Sequence, residues 1–302
     1  VVCATAGFRK ITAGSGKEEG MSTKKAIGGS LGAIVLLVAA QIVAELAANL
    51  LNFLHIPAAI CNVLAGVIYI GIAFVLLKLF AEKWLKVKIN DLGMPKFSIQ
   101  PKWIAAAIGL PVIVKAVYLL LFSGEYVFSG MDSRQICSIL SAGIAFVGIA
   151  AGFVEEMVFR GVIFHFIKAR WNSKAAVLVP SVAFGAVHLI GMDFSPISCL
   201  LVLAAGTMVG VMFSMIVMES GSVWNSGIVH ALWNIIINGG GLTISQKAEA
   251  YSVVTYVLKS KSILLTGGEF GVESSLVALI GYLIVALAAI AGMKKTSHKS
   301  ER

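Results

Sequence analysis

Eight apolar runs dominate the chain, near 27–54, 58–81, 103–122, 137–168, 175–192, 197–218, 222–238 and 272–293. About 20 mainly apolar residues cross the roughly 30 Å of bilayer hydrocarbon as a helix. In lipid the backbone polar groups have to be satisfied within the segment, which favours helices over loops or open sheets. The pattern predicts an all-α fold, a polytopic membrane bundle of about eight transmembrane helices. The fourth run is too long for one straight span, so it protrudes, tilts or breaks. Composition agrees: 58% of the 302 residues are hydrophobic and 13% charged, against about 45–50% and about 25% in a soluble domain.

Residues 1–26 read as a polar, flexible N-terminus, with Met21 a candidate start. Residues 27–293 read as a single transmembrane domain, and 294–302 as a basic tail. The net charge of +9 comes in short clusters beside the apolar runs. Lys24 and Lys25 precede the first run. Lys83, Lys86, Lys88, Lys96 and Lys102 lie between the second and third. Lys168, Arg170 and Lys174 join the fourth and fifth, and Lys294, Lys295 and Lys299 follow the eighth. With eight spans these loops share one side, and positive-inside topology then places both termini in the cytoplasm, in a bacterial-type plasma membrane. The 239–271 segment, with Lys247, Lys259 and Lys261, is the exception. No aromatic-basic pattern points to nucleic acid. Cys3, Cys61, Cys137 and Cys199 form no Cys-x-x-Cys pair and read as small buried hydrophobes.

Ionisable groups inside spans are costly and mark function. The densest cluster is Glu155-Glu156-Met157-Val158-Phe159-Arg160. Glu156 and Arg160 are one helical turn apart in the favoured order for an ion pair. Glu155 points about 100° away, leaving it available to hold a water. His188 follows Phe184 by one turn, late in the fifth run, and His230 and Asn234 share a helical face in the seventh; Asn238 continues that face as a weaker candidate before Gly239-Gly240-Gly241. If helices on either side of Trp171-Asn172-Ser173 are antiparallel, Glu155 and His188 meet at equal depth, about 24 Å from the turn.

Three elements in order, Glu155-Glu156…Arg160, Phe184…His188 and His230…Asn234, resemble the CPBP family, the CAAX protease and bacteriocin-processing enzymes that include type II CAAX prenyl proteases. The resemblance covers about 137–240. It implies an intramembrane endopeptidase in which Glu155 and His188 activate a water and His230 and Asn234 stabilise the oxyanion, with Glu156, Arg160 and Phe184 supporting. The implied partners are the bilayer and a membrane-associated peptide, either a prenylated CAAX-type protein or a bacteriocin-like one. If a metal is bound, zinc on Glu155, His188 and His230 is the implied set. A metal-free glutamate mechanism uses the same residues and is preferred, since the His-Glu-x-x-His zinc motif is absent. Two other classes stay open: a non-catalytic peptide-binding protein such as a bacteriocin-immunity factor, and a transporter using Gln41, Glu45, Asn49 and Lys115.

Overall fold

The computed structural model describes residues 21–190 and 195–300. Most of the expected polar N-terminus, with Cys3, lies outside the described residues, as do 191–194. Ser22 caps the first helix by accepting from the Lys25 backbone N–H, so helix starts four residues earlier than the apolar run.

In chain order the helices are α1 (Thr23–Phe53), α2 (Ala58–Trp84), α3 (Pro101–Leu121), α4 (Ser133–Arg170), α5 (Ser173–Val187), α6 (Pro196–Ser220), α7 (Val223–Trp233), the short α8 (Ile263–Thr266) and α9 (Leu276–Ser300). Six of them, α1 to α4, α6 and α9, are long and apolar enough to cross a membrane. The fifth and seventh expected spans come out shorter. α5 has 15 residues, about 22 Å at 1.5 Å per residue, and α7 has 11 before a π turn over Asn234–Asn238. α7 is buried along most of its length, whereas α5 exposes Leu178, Val179 and Val182 on one face. The overlong fourth run is one helix of 38 residues, interrupted by π-helical stretches at Ala142–Ala150 and Met157–Ile163.

Side-chain size is distributed as lipid requires. Along α1, Ile27, Leu31, Val35, Ile42, Leu46 and Leu50 point outward, while Ala26, Ala33, Ala40 and Ala44 are buried. Lipid is as apolar as a protein core, so packing between spans comes from close approach of small residues rather than burial of large ones. Polar side chains bond between or along helices: Asn62 Nδ2 donates to the Ser138 carbonyl at 2.9 Å, Gln41 to Glu45 at 2.9 Å, and Lys115 to the Leu242 carbonyl.

The buried residues form two clusters. One joins α1, α2, α4 and α5, and the other joins α3, α6, α7 and α9. At the Lys-rich end, Lys102 pairs with Glu219, and the Val223 N–H donates to the Gly93 carbonyl at 2.8 Å. The opposite end carries a small sheet, in segments read as loops. Strands β1 (Gly124–Phe128), β2 (Leu242–Ser245) and β3 (Val254–Leu258) pair in the order β1-β3-β2, antiparallel then parallel. Lys259, one of the exceptional lysines, pairs with Glu125 across it at 3.0 Å. Of the described cysteines, all free, Cys61 is buried as expected, but Cys137 is exposed.

Candidate active site

The site sits on the seam between the two clusters, where α4, α5, α6 and α7 meet. Three glycines of α4 make that seam tight. A Cβ on Gly143, Gly148 or Gly152 would strike Gly239, Ile235 or Ala231 respectively, and at Gly152 the obstacle is backbone, with the Cα and N of Ala231 at 2.8 Å. Glu155 follows Gly152 by one turn, and His230 precedes Ala231, so the closest approach of the two helices brings these side chains face to face.

Glu155, Phe184, His188, His230 and Asn234 all line one cavity of about 220 Å³, walled by apolar groups including Val147, Phe213 and Trp233. Glu156 and Arg160 stand behind it and are fully buried. Their expected ion pair is present, Nη1 to Oε1 at 2.9 Å, although none of these charged atoms completes a directed hydrogen bond. Arg160 is also held by aromatic faces: its guanidinium lies 4.5 Å from the Phe184 ring centre and 5.1 Å from that of Phe213, in cation–π range. Phe184 in turn meets His188 at 4.6 Å and His230 at 5.7 Å between ring centres. The Phe-x-x-x-His pattern thus has a physical reading: the Phe184 ring packs against the Arg160 guanidinium and against both imidazoles.

His188 does not sit within a span. α5 ends at Val187, and His188 is its C-cap. Its Nδ1 lies 2.7 Å from the Phe184 carbonyl oxygen. A carbonyl only accepts, so in the neutral ring Nδ1 carries the hydrogen and Nε2 keeps its lone pair for another partner. His230 lies between the two acids, with Nε2 3.8 Å from Glu155 and Nδ1 3.4 Å from Glu156. It lies nearly flat on Phe213. Asn234 Nδ2 donates to the Val147 carbonyl at 3.0 Å; this tethers the amide and leaves its second N–H unspent. Glu155 is the more exposed acid of the pair, 23% against 0% for Glu156, and its Oε2 has no hydrogen-bond partner. The expected Glu156–Arg160 pair is present, while Glu155 points to the cavity and to His230.

Glu273, Phe270 and Phe213 also line the cavity, and sequence reasoning missed all three. Glu273 sits in a 3₁₀ turn just before α9, at the edge of an apolar run, where an acid reads as interfacial. Asn238, the weaker candidate, lines the cavity too and donates to Glu273 at 2.7 Å. The π turn that begins at Asn234 shifts the residues after it from ideal helical register. Phe270 also borders a larger polar cavity on the sheet side, lined by Ser195, Lys247, Lys261 and Glu249.

A zinc set would require Glu155, His188 and His230 to gather around one point. Among the described residues no three His, Cys, Asp or Glu side chains are grouped so as to hold a metal ion. As placed, the three do not fit the zinc set.

A carboxylate, two imidazoles and a tethered amide thus line one small cavity inside an apolar helical bundle, which defines a helical membrane protein with a polar internal site. Residues 138–236, about a third of the chain, match the family model described as type II CAAX prenyl endopeptidase Rce1-like. The matched segment is similar to the CAAX protease family that the three motifs resemble, and it spans Glu155, His188, His230 and Asn234. No curated protein and no solved structure matches the chain.

Proposed function

We propose that this chain is an intramembrane endopeptidase that cuts a peptide bond of a membrane-associated substrate with a water activated by Glu155 and His188. The observation that carries the reading is the convergence of Glu155, His188, His230 and Asn234 on one cavity. Glu155 takes a proton from the water as the oxygen attacks the peptide carbonyl, and the Nε2 lone pair of His188 orients that water. His230 and the free N–H of Asn234 face the oxyanion that develops. Preset donors in a water-poor cavity stabilise such a charge strongly. Glu155 then passes its proton to the departing amine nitrogen, which completes hydrolysis. Glu156 and Arg160 hold His230 and α4 in place from behind.

The family resemblance supports a membrane-associated peptide as substrate, of the prenylated CAAX or bacteriocin-like kind. With positive-inside topology, the Lys-rich end and both termini face the cytoplasm of a plasma membrane, and the sheet faces the other side. The test is cleavage of quenched fluorescent membrane peptides by the purified protein. General acid–base groups contribute about 10²- to 10⁴-fold, so Glu155→Gln and His188→Ala should each lose at least about 10²-fold in kcat. Full activity in either variant ends the proposal.

A further inference from the structure

The cavity holds a second carboxylate that the chemistry above does not use. Glu273 enters it from the turn before α9, and both its oxygens are engaged by neutral donors, Oε2 by Trp233 Nε1 at 2.8 Å and Oε1 by Asn238 Nδ2 at 2.7 Å. The Tyr282 hydroxyl donates to the Glu273 backbone carbonyl at 3.2 Å, so two donors hold the carboxylate and a third holds its backbone. It lies in none of the ion pairs found among the described residues. The cavity lining contains two acids and no lysine or arginine, because the Arg160 charge is buried against Glu156. A carboxylate accepts at about four lone-pair sites, and the two donors leave acceptor capacity toward the cavity.

We propose that Glu273 is a specificity-determining residue that selects a substrate with a lysine or arginine side chain beside the scissile bond. The inference rests on the endopeptidase reading and deepens it. The substrate cation supplies the counter-charge that the protein withholds, in a setting where burial makes an unpaired charge costly. Holding the carboxylate by neutral donors fixes its direction without cancelling its charge.

The test uses matched quenched fluorescent membrane peptides that carry lysine, acetyl-lysine or norleucine at each position flanking the cut. A charge-assisted hydrogen bond is worth roughly a ten- to hundred-fold preference, so the wild type should favour lysine over both neutral analogues in kcat/KM by about that factor. In Glu273→Gln the ratio should fall towards one, whatever the absolute rate, because Asn238 can turn its amide to meet the new side chain. Loss of a merely structural contact would slow all three peptides alike and keep the ratio, which overturns the inference. So does a wild type that cuts the three equally, a result that leaves the protease reading intact and needs no variant. Where the wild type cuts none of them, binding of the labelled peptides is read instead. Lysine-selective binding lost in Glu273→Gln upholds the cation site while the protease reading fails, and unselective binding overturns the cation site as well.

Discussion

Replacing Gly152 by alanine adds one methyl group on the seam between α4 and α7, and the consequence can be worked from distances. The new Cβ would stand 2.8 Å from both the Cα and N of Ala231. Carbon atoms rest about 3.5–4.0 Å apart, so the helices have to part by roughly 1 Å. A side chain in the way could rotate, but a helix backbone can only move as a unit. It would carry His230 with it and widen the 3.8 Å separation from Glu155. A misplacement of about 1 Å in a reacting constellation costs on the order of 10²-fold, or about 2.7 kcal/mol in the barrier. Helix propensity pulls the other way, since alanine improves a helix interior by about 1 kcal/mol over glycine. The expected signature is therefore selective: kcat falls about a hundredfold while α4 stays helical. The assay is cleavage of the fluorescent peptide in parallel with thermal unfolding in detergent. Gly109→Ala on α3 is the control, because a Cβ there meets nothing within 4 Å, and it should match the wild type. Wild-type cleavage by Gly152→Ala would refute the claim that close approach of α4 and α7 sets the site geometry.

Arg160→Ala strands Glu156 as a fully buried, unpaired charge, and the expected loss is about 3–5 kcal/mol, read as a lower unfolding midpoint in detergent. The double variant Glu156→Leu with Arg160→Met should recover much of that stability without recovering cleavage. Asn234→Ala should lower kcat by about 10²- to 10³-fold with little change in KM, because its free N–H is assigned to the oxyanion rather than to the ground state. Elemental analysis of the purified protein should find no stoichiometric zinc, and a chelator should leave cleavage intact; bound zinc lost together with activity would show that Glu155, His188 and His230 close on a metal when it is present.

Much of the site was legible because its residues are out of place in lipid. Glu155, Glu156 and Arg160 stand out in an apolar run, and the one-turn offset anticipated the Glu156–Arg160 ion pair. The antiparallel α4–α5 arrangement was readable from the polar turn at Trp171-Asn172, where the Asn172 side chain caps α5 by accepting from the Ala175 N–H. Span counting was less secure. Hydropathy registers apolar character, not whether a helix faces lipid or protein, so the short α5 and α7 looked like the full spans around them. The sheet escaped because strands of four or five residues in polar connecting segments carry no period that distinguishes them from loops.

The sequence by itself determined the solvent, the helical architecture and the candidate groups for acid–base work, since each follows from local chemistry: apolar length, charge in lipid, and residues one turn apart. The tertiary structure decided what those groups face. The His230 ring between two acids, the amide of Asn234 tied to Val147, and Glu273 brought into the same cavity all depend on which helices touch and at what depth. That depends in turn on backbone approach at Gly152 and on π turns that shift register along α4 and α7. Such contacts join residues far apart in the chain, and no local pattern encodes the distance between them.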